Sequence, residues 1–503
     1  MKYHFDSNTF IETAFHKDRI AIAGSDSDIT WEMLLHKVTQ LGNEFKKLNI
    51  PQGHPVVIYG HKEYLFPVAM LACMQSGIPY VPIDKIYPKE RIQKIIATTG
   101  SQVIINCCAD ELEVSFPISI NKSLQTTVHA TPDYTQSIYG NAHDPLLYIM
   151  FTSGSTGEPK GVQINRSSVL TFINWAVKDF GFGPDDVFMN QAPFTFDVSL
   201  CDVLNAFAHG GTLVLNSTDL LKDHDAFIQR LLKYKCSVWT STPSFAYLFL
   251  RHEKFNGSDL PSLHSFLFMG EELPGRTITV LKNSFKNARV LNAYGPTEAT
   301  IVTTFVDITE NLQKKYTSTP IGYPMPGSEL LIDKSDPTEK QGELIIVGDH
   351  VSAGYFKNEE MNKSKFFIHN GKRAFRTGDI AYYENDLLFY MGRNDDQIKM
   401  HGYRIELNEI ANIICKHNLV KDAVAAPLKR GNEVKKIIAF IILKDQIQDT
   451  DEFKKALFPF LEKLLPYYMI PGDIMLMNDF EYSSSHKIDK NKLIDLYLKK
   501  ELT

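Results

Sequence analysis

Short apolar runs alternate with amphipathic runs along the first part of this chain. The runs at 56–59 and 102–105 have the length and composition of buried strands, and the segment 89–98 between them has helical spacing of its apolar positions. Such alternation predicts βα units built around a mainly parallel sheet. We therefore predict an α/β fold for roughly the first 320 residues.

The pattern changes beyond about Pro320. Apolar runs at 328–332, 342–347 and 386–391 follow one another with little helical sequence between them. Closely spaced strands of this kind predict a β-rich subdomain, at about 320–394.

A polar stretch at 392–397 separates this region from a segment that alternates on a smaller scale. Its candidate elements are two helices, at 406–417 and 451–465, and two strands, at 422–426 and 436–441. We expect an amino-terminal part, 1–394, a small α+β domain, 395–503, and a linker near Asp395.

Length and composition are those of a multidomain globular protein. The chain has 503 residues, of which 44% are hydrophobic and 22% are charged. The longest apolar stretch, 64–74, is far shorter than the roughly 20 residues that span a bilayer, so it predicts a core helix and no membrane span. The amino terminus has no apolar signal segment, so we expect a cytoplasmic location.

Charge and cysteine usage narrow the class of partner. A net charge of −6 argues against a general nucleic-acid binder, which needs a basic surface to neutralise phosphates. The six cysteines show no C-x-x-C spacing, which favours reduced thiols over a disulfide framework or a zinc site.

The segment 148–161 is the most informative part of the sequence. An apolar strand runs into a loop of glycines, hydroxyl side chains and one lysine, which can offer backbone N–H groups to phosphate oxygens. Its spacing differs from that of the P-loop of nucleotidases. The predicted phosphate-contacting residues are Thr152, Ser153, Gly154, Ser155, Thr156, Gly157 and Lys160.

This loop resembles the signature of the acyl-adenylate-forming superfamily, which holds acyl-CoA synthetases, luciferases and the adenylation domains of nonribosomal peptide synthetases. Further matches occur in the family's order, at 77–84, 292–298, 376–379, 392–395 and 399–406. The resemblance implies a large amino-terminal domain of two α/β subdomains and a distorted β-barrel, with a small carboxy-terminal α+β lid. It also implies use of ATP and Mg²⁺.

The resemblance places the remaining nucleotide contacts on short motifs. Adenine needs a flat neighbour and a polar group, ribose hydroxyls suit a carboxylate, and Mg²⁺ prefers carboxylate oxygen. The implied nucleotide-binding residues are Asn292, Ala293, Tyr294, Thr297, Asp379 and Arg393, and the implied Mg²⁺ ligand is Glu298.

The catalytic cation and the hinge also follow from the resemblance. Lys487 matches the family's catalytic lysine, which would stabilise the attack of a carboxylate on the α-phosphate. Asp395 matches the residue about which the lid rotates between the two half-reactions. The loop around the lysine departs from the pattern, since His486 replaces a usual glycine and Glu481 a common proline.

Asp197 identifies the class of acid. It stands where amino-acid-activating members keep an aspartate for the substrate's α-ammonium group, although a helix cap is an alternative role. The other implied lining residues are mostly apolar and are Val198, Cys201, Thr240, Leu267, Met269, Ala293, Ile301 and Val302. Met269 predicts a small pocket, and alanine of either hand, glycine, serine or proline remain open as substrates.

The chain is most similar to stand-alone D-alanine:carrier protein ligases, in which the position of Met269 is usually cysteine. The resemblance therefore implies an enzyme that forms an aminoacyl-AMP and passes the amino acid to a phosphopantetheinylated carrier protein in trans. Two alternatives remain. One is an acyl-CoA synthetase for a small acid, against which Asp197 argues, and the other is a catalytically degenerate homologue that binds the carrier.

Overall fold

A computed structural model describes residues 5–6, 11–12, 16–110, 112, 114–134, 139, 144–154, 158–431, 433–444, 450–480 and 488–501. Two compact units make up the chain. Unit 1 comprises Met1–Lys85, Ile96–Phe151 and Gly161–Asn394, and unit 2 comprises Ile86–Ile95, Thr152–Lys160 and Asp395–Thr503. The change at residue 395 falls at the predicted linker, and the assignment of a core and a lid stays a prediction.

The first elements of the chain supply the seven strands of a mostly parallel sheet. They are β1 (Phe5–Asp6), β2 (Ile11–Glu12), β3 (Ile20–Ala23), β4 (Asp28–Thr30), α1 (Trp31–Lys47), β5 (Val56–Gly60), α2 (Leu65–Ser76), β6 (Tyr80–Asp84), α3 (Lys89–Thr99), β7 (Val103–Asn106), β8 (Ile118–Ile120), β9 (Thr126–Val128), β10 (Leu146–Thr152) and β11 (Lys160–Asn165). Seven of these strands pair in the order β11-β10-β6-β5-β7-β8-β9. The predicted core helix is confirmed as α2, which is buried along most of its length and ends at Gly77 with φ +66°.

A second, nine-stranded sheet has the order β18-β17-β16-β15-β14-β12-β13-β3-β4 and is parallel from β16 to β3. Its region contains α4 (Arg166–Asp179), β12 (Val187–Asn190), α5 (Val198–His209), β13 (Thr212–Leu215), α6 (Thr218–Lys222), α7 (His224–Tyr234), β14 (Val238–Ser241), α8 (Pro243–Phe249), β15 (Ser265–Phe268), α9 (Gly275–Ser284), β16 (Arg289–Tyr294), a 3-10 turn (Thr297–Ala299), β17 (Thr304–Asp307), α10 (Glu310–Lys315) and β18 (Tyr323–Pro324). The expectation of two α/β subdomains is confirmed.

The β-rich region is an antiparallel sheet made of β19 (Glu329–Asp333), β20 (Gly342–Val347), β21 (Phe366–His369), β22 (Lys372–Glu384) and β23 (Leu387–Arg393), with α11 (Glu359–Lys365) preceding β21. The strands pair in the order β19-β20-β22-β21, and β23 adds to β22. This pairing does not confirm the closed, distorted barrel that the resemblance implied.

The carboxy-terminal part of unit 2 is α+β, as predicted. It contains the hairpin β24 (Gln397–Met400) and β25 (Tyr403–Glu406), then α12 (Leu407–Ile414), β26 (Val420–Arg430), β27 (Glu433–Leu443), α13 (Thr450–Glu462), a 3-10 turn (Tyr467–Met469), β28 (Asp473–Met477) and α14 (Lys490–Glu501). In the described part of the chain, every helix falls short of the length or the hydropathy needed to cross a membrane.

Candidate functional site

Asp379 lies at the centre of a buried polar group in unit 1. It pairs with Arg393 across β22 and β23, and only 1% of its surface is exposed. One carboxylate oxygen accepts a hydrogen bond from Arg393 Nη1 at 2.6 Å, and the other accepts from the Tyr294 hydroxyl at 2.5 Å. Arg393 also donates to the Thr377 carbonyl at 3.0 Å. The structure thus brings together three residues that the sequence assigned to the nucleotide.

Tyr294 and Asn292 lie on β16, at the carboxyl end of the parallel part of the second sheet, where α/β proteins bind ligands. Burial, with the neighbouring Asp379 carboxylate, raises the pKa of the Tyr294 phenol well above its usual range, so the hydroxyl stays a donor. The Asn292 amide nitrogen donates to the Pro320 carbonyl at 2.8 Å. That bond fixes the amide plane, as a group that reads a base edge requires.

Glu298 lies in the 3-10 turn that follows β16 and is fully buried. Its Oε1 accepts a hydrogen bond from the Tyr355 hydroxyl at 2.7 Å. Within the described residues, no group of three or more His, Cys, Asp or Glu side chains is arranged to hold a metal ion. Among the described residues, Glu298 is therefore not part of a metal site built from three or more such side chains.

Backbone strain marks the end of this turn. Thr300 and Ile301 both have positive φ, of 52° and 70°. A β-branched residue in this region is an outlier that surrounding contacts must hold in place. The Thr300 hydroxyl supplies one such contact by donating to the His350 carbonyl at 2.6 Å. One strained residue, Ile301, is itself a predicted lining residue, and Val302 follows it in the chain.

Asp197 is at the amino-terminal end of α5 and is half-buried. Its own backbone is helical, with φ −66° and ψ −21°, and its side chain accepts no capping hydrogen bond from the described first turn of α5. Burial raises the pKa values of Tyr148 and Cys201, and the charge of Asp197 adds to the rise for both, after that of Asp202 in the case of Cys201, which places the Asp197 carboxylate near both side chains. The capping role that was an alternative for Asp197 is not the one observed.

The predicted pocket residues share one apolar region of unit 1. Thr240 and Leu267 pair directly across β14 and β15, and the Met269 N–H donates to the Ser241 carbonyl at 3.2 Å. A single hydrophobic cluster contains nearly the whole set, namely Val198, Cys201, Leu267, Met269, Ala293, Ile301 and Val302. The cluster extends through much of unit 1 and also contains Tyr148, whose pKa is raised by burial and by the charge of Asp197.

The predicted phosphate loop, Thr152–Lys160, belongs to unit 2. The Ser153 hydroxyl donates to the Arg404 carbonyl at 2.8 Å, and the Gly154 N–H donates to Glu409 Oε2 at 3.0 Å. A side chain on Gly154 would collide with the Glu158 carbonyl oxygen, which explains the glycine. Thus one N–H group of the predicted phosphate loop donates its hydrogen bond to a carboxylate oxygen of Glu409.

Glu409 and Arg91 form a buried ion pair that the sequence did not predict. Arg91 Nη1 lies 2.9 Å from Glu409 Oε1, and both side chains are less than 5% exposed. Burial lowers the pKa of the Arg91 guanidinium, but the charge and hydrogen bond of Glu409, together with the phenols of Tyr468 and Tyr87, outweigh burial and raise the pKa above its usual range. Lys160, the loop lysine, lies 3.5 Å from a second carboxylate, that of Glu406. No local pattern could have revealed a pair whose members are 318 residues apart.

Some predicted residues lie outside the described part of the chain. They are the loop residues Ser155, Thr156 and Gly157 and the catalytic candidate Lys487, with His486 and Glu481 beside it. Asp395, the predicted hinge, accepts a hydrogen bond from the Gln397 N–H at 3.3 Å. Thr152 ends β10, and Thr297 is buried in the turn that carries Glu298.

Comparison with known proteins identifies one family and relatives that share one name. A family model described as AMP-binding enzyme matches residues 11–356. A D-alanine–D-alanyl carrier protein ligase of Bacillus cereus (strain G9842) is 36% identical over 488 residues, which cover 95% of this chain and 96% of that protein. A ligase of the same name from Bacillus licheniformis is 35% identical over 486 residues, with the same coverage.

Among solved structures, the Vibrio cholerae adenylation domain AlmE, in complex with glycyl-adenosine-5'-phosphate, is similar in fold. Its TM-score is 0.80 at 22% identity, with 96% of this chain and 95% of that chain covered. Since the family model spans more than half of the sequence and the relatives match nearly all of it, the chain belongs to the AMP-binding enzyme family.

Proposed function

We propose that this chain is a stand-alone ligase that uses ATP to activate a small amino acid and then loads it onto the phosphopantetheine thiol of a separate carrier protein. Asp197 carries the proposal, because it is a half-buried carboxylate in an apolar region and does not cap its helix. A cation stabilises a carboxylate in such surroundings, and the α-ammonium group of an amino acid can supply that cation.

D-Alanine is the first candidate substrate, on the strength of relatives that are 36% identical over 95% of the chain. A long Met269 side chain at the floor of the pocket would favour a substrate with a short side chain. Alanine of either hand, glycine, serine and proline are therefore compared in the assay below.

The first half-reaction needs no general base, because the amino-acid carboxylate is already ionised at neutral pH. Its oxygen forms a bond to the α-phosphorus of ATP as the bond to the β-phosphate bridge breaks, and pyrophosphate leaves. In this proposal Asp379, Arg393 and Tyr294 hold the ribose, the loop 152–160 holds phosphate oxygens, and Lys487 stabilises the charge on the reacting phosphate.

Glu298 would hold Mg²⁺ together with phosphate oxygens of ATP. Mg²⁺ sites that use nucleotide phosphates commonly need only one or two carboxylates, and Glu298 is a buried carboxylate close to the nucleotide candidates Thr297 and Tyr294 in the chain. When bound, the ion would neutralise charge on the leaving pyrophosphate.

In the second half-reaction the carrier's sulfur attacks the carbonyl carbon, a thioester forms, and AMP leaves with the mixed-anhydride oxygen. We place the hinge for this change at Asp395, with 1–394 as the core and 395–503 as the lid. A cytoplasmic location fits this chemistry, since it needs ATP and a reduced thiol.

Amino-acid-dependent ATP–pyrophosphate exchange tests the first half-reaction. All standard amino acids and their D-forms are compared, with Lys487→Ala as the test variant and the exposed Lys499→Ala as its matched control. We expect exchange with one small amino acid, lost in Lys487→Ala and kept in the control. Exchange only with acids that lack an amino group would refute the role of Asp197, and no exchange with any acid would favour a degenerate homologue.

Transfer of labelled amino acid tests the second half-reaction. Holo-carrier, apo-carrier and coenzyme A are offered as acceptors under the same conditions. We expect label on the holo-carrier alone, because only that protein carries the thiol and the docking surface. Transfer to coenzyme A without transfer to the holo-carrier would instead indicate an acyl-CoA synthetase.

A further inference from the structure

A fully buried lysine lies in unit 1, where none of the motifs described above assigns it a role. Lys62 follows β5, and its side chain has no exposed surface. An ammonium group in such a place is expensive to desolvate unless other groups replace its water. The groups in contact with Lys62 must therefore stabilise its ammonium group in place of water.

The Lys62 ammonium group meets three acceptors. Nζ lies 2.5 Å from Asn190 Oδ1 and 2.5 Å from the Ala192 carbonyl oxygen, and it stands over the Phe194 ring, 4.3 Å from the ring centre. Two carbonyl oxygens and an aromatic face match the three N–H donors of an ammonium. All three partners belong to the end of β12 and the loop that follows it.

Asn190 connects the lysine to a buried carboxylate. Its amide nitrogen donates to Asp202 Oδ2 at 3.2 Å and to the Ser199 carbonyl at 3.2 Å. Burial raises the pKa of Asp202 to about 8, against hydrogen bonds from Thr240 and Asn190, and burial lowers the pKa of Lys62 to about 7, against the charges of Asp84, Asp202 and Glu63. We assign Lys62 its charged form, because the three acceptors around Nζ suit a cation.

This network holds both sides of the segment that presents Asp197. On one side, Ala192 and Phe194 precede Asp197 in the loop after β12. On the other side, Asp202 lies on α5, the helix that Asp197 begins. The Thr240 side chain lowers the pKa of Asp202, which places Thr240, a predicted lining residue of the pocket, near this network.

We propose that Lys62 is a positioning residue for amino-acid binding, which fixes the loop 191–197 so that Asp197 faces the substrate's ammonium group. This inference rests on the proposed amino-acid activation. Lys62 has no exposed surface, so it acts through the Ala192 carbonyl and Asn190 and does not touch the substrate.

The test is exchange kinetics of Lys62→Met, which keeps the length of the side chain and removes its charge and donors. Loss of a charge-assisted hydrogen bond to the loop should raise KM for the amino acid by about 10- to 100-fold, with KM for ATP within about twofold of wild type. Lys178→Met, on the exposed face of α4, is the matched control and should change neither constant.

Lys62→Met removes a positive charge that interacts with the buried Asp202 carboxyl, so the double variant Lys62→Met/Asp202→Asn is measured beside it. We expect the double variant to recover the thermal unfolding midpoint but to keep the raised KM for the amino acid. A Lys62 that only balances charge would give the double variant a normal KM, which would overturn the inference. A parallel rise in both KM values would overturn it as well. Absence of exchange in the wild-type protein would overturn the proposed function, and this inference with it.

Discussion

The buried ion pair of Asp379 and Arg393 allows a quantitative prediction that separates folding from binding. The two side chains are 2% and 8% exposed, and Arg393 Nη1 lies 2.6 Å from Asp379 Oδ1. Replacing Arg393 with methionine leaves the carboxylate with the Tyr294 hydroxyl and removes the donor to the Thr377 carbonyl. The variant therefore contains a buried charge whose counter-ion is gone.

The magnitude follows from the environment of the pair. Two unit charges about 4 Å apart attract by about 4 kcal/mol at an effective dielectric constant of about 20. Breaking a buried pair from one side typically costs 3–5 kcal/mol. We expect Arg393→Met to lower the free energy of unfolding of unit 1 by about 3 kcal/mol, the lower end of that range, because the Tyr294 hydroxyl still stabilises the carboxylate.

Tryptophan fluorescence during urea unfolding measures this change, because all three tryptophans, Trp31, Trp175 and Trp239, are buried in unit 1. The double variant Arg393→Met/Asp379→Asn should recover most of the lost stability, because it contains no uncompensated charge. Neither variant should bind ATP with wild-type affinity if the pair holds the ribose. A loss below about 1 kcal/mol in Arg393→Met would refute the reasoning, since that is the value of an exposed pair.

Three further predictions concern separate parts of the molecule. Asp197→Asn should raise KM for the amino acid by about 30- to 150-fold and leave KM for ATP unchanged, since one partner of a partly buried charge pair is lost; exchange kinetics measure both constants. Gly154→Ala should reduce exchange by at least about 100-fold, because the new methyl group collides with backbone in the phosphate loop, whereas Gly275→Ala, where the methyl group meets open space, should not. His264→Gln should lower the thermal unfolding midpoint at pH 5 and have little effect at pH 9. The reason is that the hydrogen bond with Asp186 raises the pKa of His264, while the same contact lowers the pKa of Asp186.

The pH dependence of the His264–Asp186 contact follows from the opposite shifts of the two pKa values. The histidine contribution is present below the unfolded pKa of about 6.5 and is lost as pH rises through the higher folded value. The aspartate contribution is present above about 3.9 and is lost as pH falls through the lower folded value. The difference between His264→Gln and wild type should thus be largest between about pH 4 and 6.5, and a difference that grows toward alkaline pH would contradict this assignment.

Most of the regular structure could be predicted because its signals are local. The run 342–347 is β20 without change, and the run 386–391 differs from β23 by one or two residues at its ends. Helix α12 is shorter than the predicted 406–417, since it ends at Ile414 and turns follow it. The closed barrel was a weaker expectation, because closure depends on pairing between strands that no single segment encodes.

In the candidate site, too, some features follow from local motifs and others depend on contacts that only the fold creates. Asp197 was predicted from its motif, but its freedom from a capping role depends on the backbone angles of the loop that precedes α5. Tyr294 was expected to stack on adenine, whereas the structure adds a hydrogen bond from its hydroxyl to Asp379, 85 residues away. Whether the ring also stacks on the base stays a prediction.

The sequence by itself determined the family and predicted the phosphate loop and the class of acid, because each depends on a few adjacent residues whose types and spacing carry the chemistry. The tertiary structure alone decided that Arg91 meets Glu409, 318 residues away, and that Lys62 meets Asn190, 128 residues away. The physical reason is the cost of burying a charge. Such a residue is tolerated only where the path of the chain brings a counter-charge or acceptors to it, and that path is set by the packing of whole sheets and helices.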